Sequence, residues 1–146
     1  MTLKINSKAP TFTIPSTKMN NYSLKDSLGK NVVLYFYPKD DTPGCTIETN
    51  EFNKLQAKFK KLNCEIYGIS KDNLKSHKKF RDKYKIKFDL LADEEIKVLK
   101  KYKVWGKKKF MGREFMGTNR TTFLIDKSGK IIKIWENVKV KDHAKE

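Results

Sequence analysis

Apolar positions follow three rhythms along this chain. From Val32 to Tyr37 they run without a break, β-branched and aromatic, which predicts a strand buried on both faces. Thr11-Phe-Thr-Ile14 alternates instead, the pattern of a half-exposed strand, and Pro10 and Pro15 bracket it. Phe52, Leu55, Phe59 and Leu62 recur three and four residues apart, which predicts an amphipathic helix from Pro43 to about Leu62. Cys45 falls on the same buried face of that helix.

The remaining segments continue the alternation of strand and helix. Thr17 to Tyr22 reads as a turn and short extended segment, and Ser23 to Leu28 as one helical turn stopped by Gly29. Cys64 to Ser70 predicts a second central strand. Asp72 is placed to cap a helix through about Tyr84, with Leu74, His77, Phe80 and Tyr84 on one side. Phe88 to Leu91 is a short strand, and Glu94 to Tyr102 a short helix with Ile96 and Leu99 inward. Val104 and Trp105 form a strand fragment before a loop from Gly106 to Gly117. Arg120 to Ile125 and Lys130 to Trp135 make a hairpin around Asp126-Lys-Ser-Gly129, and Val138 to Glu146 begins a last helix. The sum is an α/β fold, a central mixed sheet flanked by helices, in one domain over residues 1–146.

The junction after the longest apolar run carries the candidate chemistry. Pro38 cannot continue a strand inside a sheet. Thr42 suits an N-cap and Pro43 a first helical position, so Cys45 enters the first turn of the helix. Unpaired N–H groups and the positive end of the helix dipole meet there, and both favour a thiolate over a thiol. The competing reading is a small buried hydrophobe, the usual fate of a free cysteine.

Composition changes this picture in one respect. The formal charge of +16 permits a nucleic-acid partner. Arginine, however, occurs only at positions 81, 113 and 120, and the lysines are spread through every segment. Nucleic-acid readers favour arginine for bidentate contacts, so solvated lysine faces are the better reading. The two cysteines form no C-x-x-C pair, disulfide framework or zinc site. No segment has the long apolar run of a membrane helix, and the N-terminus lacks the apolar core of a secretory signal. A soluble, cytoplasmic protein in a reducing compartment is expected, with no membrane and no specific nucleic acid among its partners. His77, on an apolar helix face, reads as structural, and His143 as a packing residue. Asp40 with Asp41, and Asp93 with Glu94 and Glu95, read as turn or cap acids without matching histidines, which argues against a metal site.

Pro38-Lys-Asp-Asp-Thr42-Pro-Gly-Cys45-Thr-Ile-Glu48 resembles the peroxidatic-cysteine loop of the peroxiredoxins, most closely the bacterioferritin comigratory (Q-type) subfamily. Ala9-Pro-Thr-Phe12, Tyr67-Gly-Ile-Ser70, Phe88-Asp-Leu-Leu-Ala-Asp93 and Asn119-Arg120-Thr-Thr-Phe-Leu-Ile-Asp126 extend the resemblance nearly end to end. It implies a thioredoxin-like fold and a thiol-dependent peroxidase acting on hydrogen peroxide and alkyl hydroperoxides. Cys45 would be the nucleophile and pass through a sulfenic acid. The Thr42 hydroxyl would bond thiolate and substrate, and Pro38 would shield the site. Arg120 would favour the thiolate and polarise the peroxide, with Glu48 orienting it. The bland alternatives are an N-cap for Thr42, a strand terminator for Pro38, a solvated arginine, and a first-turn acid for Glu48. No metal, haem or flavin is implied, and a monomer is expected.

Two features depart from the family. The position five after Cys45, where many members carry a resolving cysteine, is Asn50, and the segment from Asp72 to Tyr84 has no cysteine either. The family's closing helix also continues beyond the residues that match His143-Ala-Lys-Glu146. A one-cysteine cycle is therefore expected, completed by an external thiol such as thioredoxin or glutaredoxin with glutathione, and Cys64 is expected to be a packing residue. The competing functions are a thiol-disulfide oxidoreductase of the same fold and a basic nucleic-acid-binding module. The missing C-x-x-C argues against the first.

Overall fold

The structure, a computed structural model, describes residues 4–17, 21–40, 43–110 and 112–135. Strand β3 (Asn31–Phe36) lies at the centre of a five-stranded sheet. It pairs in parallel with β4 (Cys64–Ser70), which pairs in parallel with β5 (Asp89–Ala92). On its other side it pairs antiparallel with β8 (Thr121–Ile125), which forms a hairpin with β9 (Ile131–Trp135). The mixed sheet is as expected, and it is the thioredoxin-like arrangement. Helices α1 (Pro43–Lys61) and α2 (Leu74–Tyr84) supply the crossovers between the parallel strands.

The unbroken apolar run of β3 has the predicted cause. Val32, Leu34 and Phe36 enter one core with Phe12, Tyr22, Leu99, Tyr102 and Phe123. Val33, Tyr35 and Tyr37 enter a second core with Phe52, Ile66, Phe80, Phe88 and Leu90. Tyr35 stacks on Phe52 at 4.7 Å and bonds the Thr49 hydroxyl of α1 at 2.9 Å. Gly68, its register partner on β4, makes room for that ring: a Cβ there would stand 2.7 Å from the Tyr35 hydroxyl.

Several expectations are corrected. Leu62 does not complete the buried stripe of α1; it lies past the end of the helix and is 71 % exposed. The cap of α2 is Asn73, which accepts from Ser76 N at 2.8 Å, while Asp72 turns inward to accept from Asp40 N. Helix α3 is only Lys97–Lys101, because Ile96 adopts a left-handed conformation (φ 65°) ahead of it. Asp93 then acts as a cap by accepting from Leu99 N at 2.8 Å. The expected loop over 106–117 is an antiparallel hairpin of β6 (Trp105–Phe110) and β7 (Arg113–Thr118), turning through Gly112 at φ 78°. Near the start, β1 (Thr13–Pro15) and β2 (Asn21–Ser23) form a small ribbon. The expected last helix and His143 lie outside the described residues.

Candidate active site

Sheet topology builds the site. Strand β3 ends at Phe36, and α1 begins seven residues later, so Cys45 sits beyond the carboxyl end of a central strand. Because β8 runs antiparallel to β3, its first residue, Thr121, pairs with Phe36. Arg120, immediately before it, is thereby brought to the same end of the sheet across 75 residues of sequence.

The arginine is shared between two buried groups on α1. Its Nη2 donates to Cys45 Sγ at 3.4 Å, and its Nη1 donates to Glu48 Oε1 at 2.9 Å. Cys45 and Glu48 are three residues apart, hence on one face of the helix, and both are almost wholly buried. Burial works against the charge of Arg120, but Cys45 and Glu48 outweigh it and hold the guanidinium above its ordinary value. Glu48 experiences the opposite balance. Burial pushes its carboxyl up to about 7 despite the attraction of Arg120, and its Oε2 has no hydrogen-bond partner among the described residues. The 2.9 Å ion pair alone suggests a strongly acidic carboxyl; the unpartnered oxygen and the depth of burial decide for the raised value. The first turn of α1 holds no acid, so the helix dipole does not explain Glu48.

Of the sequence-predicted residues, Cys45, Glu48 and Arg120 therefore converge. Pro38 is half-buried, two residues past the end of β3. Thr42 lies outside the described residues. Cys64 is remote: it starts β4 in register with Asn31, at the amino end of β3. It borders an open cleft of about 490 Å³ with Gln56, Lys60 and Phe88. Burial and then the charge of Glu65 push its thiol up to about 11.

Sequence reasoning missed a second cluster beside the first. The statement that Asp40 lacks a matching histidine is corrected, since His77 Nδ1 stands 2.7 Å from Asp40 Oδ2. Asp40, Asp72 and His77 place ligand-type atoms within 4.8 Å of one another. These atoms are already engaged: His77 with Asp40 and Leu91 O, Asp72 with Asp40 N and Ser70. They hold one another rather than framing a vacant coordination site. The pairing joins residues 37 apart in sequence, and only the inward-facing position of His77 on α2 hinted at it.

No helix among the described residues is long and apolar enough to cross a membrane. The sequence model of the AhpC/TSA family matches residues 5–134. The chain is 46 % identical to Peroxiredoxin Bcp of Bacillus subtilis over 146 residues, covering all of this chain and 93 % of that protein. It is 37 % identical to Peroxiredoxin Bcp of Escherichia coli over 141 residues, 97 % of this chain and 90 % of the relative. Among solved structures, a cysteine-to-serine variant of Xylella fastidiosa PrxQ superposes with a TM-score of 0.93 at 32 % identity, covering 99 % of this chain and 92 % of that one. The bacterioferritin comigratory protein of Xanthomonas campestris, studied for alkyl peroxide reduction, superposes with a TM-score of 0.87 at 34 % identity over 92 % and 85 % of the two chains.

Proposed function

The chain belongs to the AhpC/TSA family, as a thiol-dependent peroxidase of the bacterioferritin comigratory peroxiredoxin type, and from that premise we propose how its own residues divide the work. The observation that carries the proposal is the guanidinium of Arg120 placed 3.4 Å from a fully buried Cys45 sulfur at a helix start. A fixed positive charge there favours the thiolate and faces the oxygen that gains charge as the O–O bond breaks. Cys45 S⁻ attacks the terminal oxygen of a hydroperoxide; the S–O bond forms, the O–O bond breaks, and the alkoxide or hydroxide takes a proton and leaves. Hydrogen peroxide and small alkyl hydroperoxides are the substrates.

Glu48 orients Arg120 through the 2.9 Å contact. The Thr42 hydroxyl serves thiolate and substrate, and Pro38 keeps water from the thiolate. The Cys45 sulfenic acid then condenses with an external thiol, releasing water, and a second thiol exchanges to regenerate Cys45. Asn50 stands at the usual resolving position and Cys64 at the far end of the sheet, so no thiol of this chain completes the cycle. Thioredoxin, or glutaredoxin with glutathione, supplies the electrons in the cytoplasm, and the enzyme acts as a monomer. Steady-state peroxide consumption should be supported by at least one of these thiols and by dithiothreitol. No consumption with any of them, using either hydrogen peroxide or tert-butyl hydroperoxide, would overturn the reading.

A further inference from the structure

When Cys45 S⁻ takes the terminal oxygen of a hydroperoxide, the departing alkoxide or hydroxide needs a proton. Cys45 has no exposed surface and Glu48 is 1 % exposed, so bulk water does not lie beside the reacting atoms. The proton has to come from a group already at the site.

The buried charges show which group holds one. Arg120 Nη2 stands 3.4 Å from Cys45 Sγ, and its Nη1 stands 2.9 Å from Glu48 Oε1, so one guanidinium serves two acids. Among the described residues it is the only cation in an ion pair with Glu48. A thiolate and a carboxylate together would leave a net negative charge buried, which is far less favourable than one paired anion. With the charge on sulfur, the proton belongs on Glu48. Oε1 is taken by Arg120, while Oε2 is buried with no hydrogen-bond partner among the described residues. A hydrogen on Oε2 leaves the Arg120 contact intact and awaits an acceptor, which the peroxide supplies. The other ionisable groups around the carboxyl are Glu51 on α1, whose charge also favours the protonated form, and Tyr35 of β3. Tyr35 is not the source. Its hydroxyl is engaged with Thr49 at 2.9 Å, and burial holds its phenol well above the ordinary range.

On the peroxidase reading above, we propose that Glu48 is the acid of the site: it holds a proton while Cys45 is a thiolate and passes it to the oxygen that leaves. The S–O bond forms, the O–O bond breaks, and the proton crosses from Glu48 to the leaving oxygen. Cys45 S⁻, hydroperoxide and the Glu48 carboxylic acid become the sulfenic acid, water or alcohol, and the Glu48 carboxylate. One negative charge stays beside Arg120 throughout and moves from sulfur to carboxylate. Because the same guanidinium touches sulfur and carboxyl, an oxygen held between sulfur and guanidinium lies beside the acid. The Cys45 thiol released at the end of the cycle returns its proton to Glu48. Burial, which raises this carboxyl to about 7, keeps the proton available near neutral pH.

The test uses two leaving groups. tert-Butyl hydroperoxide expels an alkoxide, which needs the proton; peracetic acid expels acetate, which does not. The ratio of their rates of Cys45 oxidation cancels the thiolate fraction and any loss of Arg120 orientation. Glu48→Gln keeps an oxygen for Arg120 and loses the acid, so the hydroperoxide-to-peracid ratio should fall about 100-fold. In the wild type the ratio should fall as pH rises through about 7, where Glu48 loses its proton, and in the variant it should be flat. A Glu48 that only orients Arg120 would slow both oxidants alike. An unchanged ratio in Glu48→Gln would therefore overturn the proposal, as would a wild-type ratio flat through that window. If Glu48→Gln does not fold, the wild-type pH series decides. Wild-type oxidation by both reagents with either of those results defeats the acid and leaves the peroxidase reading standing; oxidation by neither defeats both.

Discussion

Cys45 and Cys64 are both buried, both reduced, and both near the start of a regular element, yet their surroundings differ. Cys45 opens a helix, at the carboxyl end of β3, with an arginine on its sulfur. Cys64 opens a strand, at the other end of the sheet, where burial and the neighbouring Glu65 disfavour its ionisation. Burial alone therefore does not decide whether a thiol is inert. What decides is whether donors and a cation replace the water that burial removes. For Cys45 the proposed cation is Arg120, and the antiparallel pairing of β8 with β3 brings it there.

The comparison is broken most severely by Cys45→Ser. A serine hydroxyl is not ionised beside Arg120, so peroxide turnover should fall by at least about 1,000-fold with the fold intact. Substantial activity in the pure variant would move the chemistry elsewhere. Arg120→Ala removes the cation that Cys64 lacks. A charge-assisted bond of about 1.5–3 kcal/mol corresponds to roughly 10–100-fold slower peroxide attack. An unchanged rate of peroxide attack would place Arg120 off the sulfur.

Glu48→Gln sharpens the comparison through stability. Burial raises the Glu48 carboxyl from 4.5 to about 7, so folding takes up a proton there. Its contribution is fully present below about 4.5 and is lost as pH rises through about 7. Glutamine stays neutral throughout. The stability of the variant relative to the wild type should therefore climb across that window, by on the order of 3 kcal/mol at most, and level off above it. Urea denaturation at several pH values measures this, and a pH-independent difference would contradict it. Cys64→Ser should change least, with turnover supported by dithiothreitol within about twofold of wild type and a modest loss of stability.

How much of this was legible beforehand follows from the range of each interaction. Strand β3 was legible because burial on both faces leaves an unbroken apolar run, and the start of α1 because Thr42 and Pro43, an N-cap type and a first-turn proline, follow a strand-ending proline. The hairpin of β6 and β7 was not, because Lys107 to Lys109 and the glycines at 106, 112 and 117 hide any alternation. Arg120 at a strand start looks solvated in isolation; its place at the sulfur depends on pairing across 75 residues, and resemblance alone pointed to it. His77 with Asp40 had no such help. Its inward position was visible, its partner was not, because the carboxylate comes from a turn on another element.

The central claim is that Cys45 works alone and Cys64 cannot reach it. Strand β3 spans about 20 Å at ~3.3 Å per residue; Cys64 is level with its first residue and Cys45 lies past its last. A disulfide needs Cα atoms within about 7 Å. The direct test is intact-mass analysis after one equivalent of hydrogen peroxide, with dimedone present. The account predicts a single dimedone adduct, mapped to Cys45, with Cys64 still a free thiol. A monomer two mass units lighter than the reduced chain, yielding one peptide that links Cys45 to Cys64, would contradict it.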